Sequence, residues 1–288
     1  MSTSKIPLLG LQAEQFRHPL DLEATAALQQ LPALPWLVRT VLGGMAEQIF
    51  YLENIGSSLL VSDQQLPHLD QLLQEACYIL DVERPALYLR QHPSPNAYTL
   101  AFRGQQPFIV VHTSLLELLD PPEIQAVLAH ELGHLKCEHG LYLTLANLLV
   151  FCAGQLSPWG GLIAQGLQMQ LMAWVRCAEF TCDRAGLLVS QDAKIMASVL
   201  MKLAGGSPTL APQLNLDAFI SQARAYDQVN HELGNVYKAL RNTELTHPLP
   251  VLRAREIDRW SDSPAYQALL QTHTNQQRAT PQLGWRHW

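Results

Sequence analysis

The sequence predicts an α+β fold that is mostly helical, with one small mixed sheet packed on the central helices. Three observations carry this. Apolar residues recur at spacings of three and four through the long middle segments, as on one face of a helix. Three short runs rich in β-branched and aromatic residues, Ala86–Arg90, Tyr98–Arg103 and Phe108–His112, sit together between helical stretches. The chain has no internal repeat and no long low-complexity linker that would divide it.

The elements follow in order. Residues 1–62 read as an N-terminal helical leader, with helices near Leu20–Leu31 and Trp36–Tyr51 separated by the Pro32 and Pro35 turn. Asp63 is expected to cap a helix reaching about Leu80. The three strands come next, with Arg103-Gly104-Gln105-Gln106-Pro107 as a hairpin loop. Asp120-Pro121-Pro122-Glu123 is a start signal, with Asp120 as N-cap, Pro121 at the first helical position and Glu123 closing a capping box. Ile124, Val127, Leu128, Leu132 and Leu135 then mark a helix expected to continue to about His139. A helix-compatible run covers about Trp159–Ser190, and helices continue to about Leu203. Gly205-Gly206-Ser207-Pro208 breaks the chain before a helical stretch to about Arg241. Pro248 and Pro250 open a last element. Residues 63–260 are read as the main domain, and 261–288 as a polar, partly ordered tail.

Composition excludes some roles. A chain of 288 residues can bury a sizeable core. A net charge of −6, with no basic run and no Gly-rich phosphate loop, argues against nucleic acid as a partner. Five cysteines, an odd number without a C-x-x-C pair, suit a reducing compartment. The N-terminus lacks an apolar stretch of signal-peptide length, so a cytoplasmic location is expected. Leu141–Cys152 and Gly161–Val175 are too short or too polar to span a bilayer. Two readings stay open for residues 141–175: a buried helical hairpin, or a hairpin making peripheral contact with a membrane surface.

His130-Glu131-Leu132-Gly133-His134 is the chemistry-bearing motif. Residues four apart share a helix face, so both imidazoles can reach one metal ion. Glu131, between them, can hold a water and take its proton. Catalytic zinc usually has three protein ligands and an open position, so a third ligand must come from elsewhere. The metzincin extension fails, because Cys137 and Gly140 stand where its Gly and third His belong. His139 is set aside as too far round the helix, and Glu138 is read as solvated or supporting. Glu179, four residues before Asp183, is the better candidate: one carboxylate can close the site while the other orients a ligand imidazole. The alternative is a surface acidic pair near Arg176 and Arg184.

Together these residues resemble the HtpX-like and CAAX prenyl endopeptidase family of zinc metallopeptidases. The resemblance rests on Val127–His134 and on Glu179-Phe180-Thr181-Cys182-Asp183-Arg184-Ala185-Gly186, which fits that family's E-x-x-x-D signature. Asn96-Ala97-Tyr98 before Ile109-Val110-Val111, and Thr246-His247-Pro248 with Arg253, extend it over roughly residues 63–260. With Phe16-Arg17-His18-Pro19-Leu20-Asp21 in the leader, it looks closest to the soluble cyanobacterial and plastid branch. The resemblance implies a zincin-like peptidase domain, whose small sheet packs on the metal-binding helices, and one zinc per chain held by His130, His134 and Glu179. It implies Glu131 as general base and His247 as an oxyanion donor. Asp183 and Arg253 would support the ligands from behind. Asn96, Ala97 and Tyr98 would pair with a polypeptide substrate through an edge strand. It departs from better-known members in showing no clear transmembrane helices and in carrying Cys182 where many have Ala. On composition alone His247 reads as an ordinary helix-start histidine, and Asn96 as a turn residue. The expected activity is zinc-dependent endopeptidase. The alternatives are a latent enzyme blocked by its leader or tail, and a catalytically quiet zinc protein acting as a membrane-surface or interaction module.

Overall fold

A computed structural model describes residues 5–30, 45–101, 106–140, 142–143, 158–226 and 248–279. His247, Cys152 and the segments 31–44 and 144–157 lie outside the described residues. So does most of the helical stretch expected up to Arg241.

The described helices are α1 (Pro19–Gln29), α2 (Met45–Gly56), α3 (Pro67–Leu80), α4 (Thr113–Leu118), α5 (Pro121–Lys136), α6 (Pro158–Ser190), α7 (Ala193–Gly205), α8 (Leu216–Ala225), α9 (Pro250–Ser261) and α10 (Pro264–Ala279). The strands are β1 (Leu59–Leu60), β2 (Ala86–Arg90), β3 (Ala97–Leu100) and β4 (Phe108–His112). The fold is α+β and mostly helical, with a four-stranded mixed sheet in the order β1-β2-β4-β3. β2 and β4 run parallel, while β1 and β3 flank them antiparallel. All five residues of β4 are buried, which explains its unbroken Phe-Ile-Val-Val-His run in the middle of the sheet. β3 lies at the sheet edge, so among the described residues one side of its backbone pairs with no other strand.

Several boundaries differ from the sequence reading. The helix expected from Asp63 starts at Pro67, because residues 62–65 form a turn and Leu66 takes a left-handed φ of 63°. Leu59–Leu60 and α4 carry too few residues to show a period. The capping box at Asp120 forms, with the Glu123 carboxylate accepting from the Asp120 N–H at 2.8 Å. The helix it opens does not reach His139: it ends at Lys136, and Glu138 adopts φ 57°. That left-handed residue turns the chain back on itself. Glu138 stays exposed and His139 becomes buried.

The main core joins α3, the sheet, α5, the C-terminal half of α6, and α7. Leu8, Leu11 and Phe16 from the leader enter the same core almost without exposure, as do Tyr266 and Leu269 of α10. Burying one such side chain is worth roughly 1.5–3 kcal/mol. Residues 161–175 form part of the single long helix α6, and no described helix is long and apolar enough to cross a membrane.

Candidate metal centre

Two packed helices build the site. On α5, the i, i+4 spacing puts His130 and His134 on one face; on α6, the same spacing does so for Glu179 and Asp183. The helices can approach closely because Gly133 and Ala185 meet at the seam. A Cβ on Gly133 would fall 2.9 Å from the Ala185 Cβ and 3.1 Å from the Cys182 Cα. This contact brings Glu179 up to both imidazoles. His130 Nε2 lies 3.5 Å from one Glu179 oxygen, and His134 Nε2 lies 3.4 Å from the other. Donors about 2.1 Å from a tetrahedral zinc stand about 3.4 Å from one another, so these separations match the edges of such a site.

The opposite nitrogens of the two rings are engaged elsewhere. His130 Nδ1 lies 3.1 Å from the Asp183 carboxylate, which only accepts, so a proton belongs on Nδ1 and Nε2 is the nitrogen left for a metal. Arg253, from α9, donates to Asp183 through Nε (2.8 Å) and Nη2 (2.6 Å), and its Nη1 lies 3.3 Å from Glu179. Burial opposes a charge on Asp183, but the Arg253 cation outweighs it and holds the carboxyl below its usual range. His130 feels the same contest. Burial disfavours its charge, yet Glu179 and Asp183 raise its pKa to about 10, so a metal entering here displaces a firmly held proton. His134 Nδ1 faces His139 Nδ1 at 3.2 Å.

A second donor set can be drawn, since His130, His134 and Cys182 also offer atoms within 4.8 Å of one another. Chemistry favours Glu179. The Cys182 thiol lies 3.8 Å from His139 Nδ1, on the side where the ring of His134 presents Nδ1 rather than Nε2. Burial and the surrounding negative charge also push the thiol well above its ordinary pKa.

Glu131 is buried beside the histidines, and the Thr99 hydroxyl donates to its Oε2 at 2.7 Å. Thr99 stands on the edge strand β3, so strand and helix are tied at the carboxylate. A cleft of about 320 Å³ opens here, lined by His130, Glu131, Glu179 and Arg253 and walled by Leu115, Val127, Val199, Leu200 and Leu203. Asn96, Ala97 and Pro248 also line it. Tyr98 does not: its side chain points to the other sheet face, where the hydroxyl donates to Asn54 at 2.8 Å.

Residues 63–261 match peptidase family M48. The chain belongs to that family. It is a metalloendopeptidase, and its substrates are peptides. Over 267 residues it is 57% identical to the plastoglobule-localized, chloroplastic metallopeptidase 48 of Arabidopsis thaliana, covering 92% of this chain and 78% of that protein. It is 27% identical over 190 residues to the protease HtpX homolog 2 of Methanosarcina mazei, covering 56% of this chain and 64% of the archaeal protein. For the protease HtpX homolog of Moorella thermoacetica the identity is 28% over 171 residues, covering 50% of this chain and 57% of the relative. The chain thus spans less than two thirds of these two HtpX homologues. No solved structure matches it.

Two residues beside these groups carry no signal in the sequence. His139, rejected as a ligand because a continuing helix carries it well round, lies 3.2 Å from His134. Thr99 carries no motif of its own.

Proposed function

We propose that His130, His134 and Glu179 hold one zinc ion and that Glu131 is the general base of peptide hydrolysis. The observation that carries this is the convergence of two imidazole Nε2 atoms on the two oxygens of a single buried carboxylate. The donor set of two nitrogens and one oxygen fits zinc in a catalytic site, where a fourth position stays open. Bound zinc supplies Lewis acidity, acidifying water toward a pKa of about 7 and polarising a carbonyl.

The chain's own groups do the rest. Glu131 receives the proton of the attacking water and returns it to the leaving amine. Thr99 fixes which Glu131 oxygen stays free by occupying the other. Asp183 and Arg253 hold His130 with its Nε2 toward Glu179. The outer edge of β3, which pairs with no other strand among the described residues, accepts an extended peptide by main-chain pairing, with Asn96 and Ala97 at the cleft and Tyr98 anchoring the strand from its far face. The apolar wall of Leu115, Val199, Leu200 and Leu203 favours an apolar substrate side chain beside the scissile bond. His247 donates to the oxyanion, a role supported by its chain neighbour Pro248 in the cleft wall. The latent and the catalytically quiet readings gain no support from these comparisons.

Bound zinc and peptide cleavage, measured side by side for the wild type and Glu131→Gln, test this reading. The variant should retain one zinc and lose cleavage by at least about 10³-fold. A wild type that binds no zinc refutes the metal assignment, and equal cleavage by both proteins refutes the base.

A further inference from the structure

We propose that Asp21, far away in the N-terminal leader, is a positioning residue for the metal centre, acting through His139 on His134. The inference rests on the reading of His134 as a metal ligand. Its basis is a chain of three buried side chains. Asp21 Oδ2 lies 3.1 Å from His139 Nε2, and His139 Nδ1 lies 3.2 Å from His134 Nδ1. Asp21 and His139 are at most 1% exposed, and His134 is 4% exposed.

One arrangement of protons satisfies the contacts of the three-residue chain. Asp21 already accepts from Arg17 Nε (3.0 Å) and from the hydroxyls of Thr181 (2.8 Å) and Thr25 (3.0 Å). A carboxylate so surrounded can only accept, so His139 carries its proton on Nε2. Its Nδ1 is then bare and accepts from His134 Nδ1–H. That leaves the lone pair of His134 on Nε2, facing Glu179. The reverse arrangement would set a bare His139 Nε2 against the Asp21 oxygen. It would also put a proton on the His134 nitrogen that must bind metal. Arg17 Nη2 lies 3.3 Å from His139 Nε2 and favours that reversal, but one of its protons goes to the Cys137 carbonyl, and the Asp21 oxygen is nearer to Nε2, at 3.1 Å.

The two metal-site histidines are therefore oriented by different halves of the molecule. His130 is set by Asp183 and Arg253, and His134 by a relay that ends in the leader. The reversal at Glu138 makes the relay possible, since a helix continuing past residue 136 would carry His139 away from His134. Partners of this kind typically tune metal affinity by 10–100-fold.

Two substitutions at one position separate the links. In His139→Gln the amide nitrogen can still reach Asp21, but no acceptor remains for His134. In His139→Asn the amide oxygen stands near the place of Nδ1 and keeps that acceptor. Zinc affinity is read by competition with a chromophoric chelator, and folding by circular dichroism and thermal unfolding of the zinc-free chain. His139→Gln should weaken zinc binding about 10–100-fold and His139→Asn less than about 10-fold, with both folded. Asp21→Asn should fall between them. Folded variants that all bind zinc like the wild type overturn the proposal while leaving the metal reading intact. A wild type that binds no zinc overturns both. Should the variants not fold, neutron diffraction from the zinc-loaded wild type decides: a deuteron on His139 Nε2 is the expected result, and one on Nδ1 refutes the relay.

Discussion

Gly133 lies so close to Ala185 that the hydrogen in place of its side chain is what lets α5 and α6 touch. A methyl group there would sit 2.9 Å from the Ala185 Cβ, a distance that side-chain carbons do not tolerate. Gly186, one residue on, is as tightly placed, since its Cβ would fall 3.0 Å from the Ala126 carbonyl oxygen. The separation of α5 and α6 sets the distance from Glu179 to the imidazoles. Gly133→Ala should therefore destabilise the fold by about 1–3 kcal/mol. It should also lower zinc content more than that loss alone explains. Urea unfolding of the zinc-free chain, compared with metal analysis at saturating zinc, separates the two effects. A variant with full zinc content and unchanged stability would show that the seam can give.

Thr99→Val keeps the shape of the side chain and removes the proton donated to Glu131. The carboxylate loses its anchor to β3 and samples orientations that do not face the cleft. A 10–100-fold fall in kcat is expected, with zinc content unchanged and KM moved little, because the substrate contacts are intact. Steady-state kinetics on one peptide checks this. A rise in KM with kcat preserved would place Thr99 in substrate binding instead.

Much of this candidate site's geometry is legible in the sequence because its two motifs are local. His130 with His134, and Glu179 with Asp183, each announce a shared helix face through one turn of spacing. Which faces meet was not legible, since it depends on a contact between Gly133 and Ala185, 52 positions apart in the chain. His139 was hidden for another reason. Glu138 takes a left-handed conformation without being Gly or Asn, so nothing in the sequence marks the reversal. Asp21 reaches the site across 118 residues, beyond any periodicity. The strand Phe108–His112 is readable from its Phe-Ile-Val-Val run, whereas two-residue β1 has too short a pattern.

Glu256 gives a pH test of the fold itself. Its carboxyl is pulled from 4.5 to about 2, first by the His18 imidazole, whose Nε2 lies 3.7 Å away, and, against the cost of burial, by Arg255 and Arg259. A carboxyl whose folded pKa lies below its unfolded value adds stability above the unfolded pKa. That contribution disappears as pH falls toward the folded value. The group is partly solvated, so no more than about 1–2 kcal/mol is expected. Glu256→Gln should be less stable than the wild type at pH 7, and the two should converge as pH drops from about 4.5 to about 2. A constant gap across that range would mean that packing, not charge, sets the difference.

Arg253 differs from an ordinary buried cation in the shape of its demands. Two of its nitrogens grip both oxygens of Asp183, while the third leans on Glu179. A lysine ammonium is a point charge and cannot hold a bidentate fork and a second carboxylate together. Arg253→Lys should therefore keep the fold but let Asp183 swing from His130, weakening zinc binding about 10–100-fold. Arg253→Met should do more. It leaves two buried carboxylates without their cation, a loss of about 3–5 kcal/mol in a zinc-free chain. Added zinc should recover part of that loss, because the ion supplies the positive charge that Glu179 lacks. Thermal unfolding of both variants with and without zinc measures this. If Arg253→Lys binds zinc and cleaves peptide like the wild type, charge alone suffices and the fork is not what holds His130.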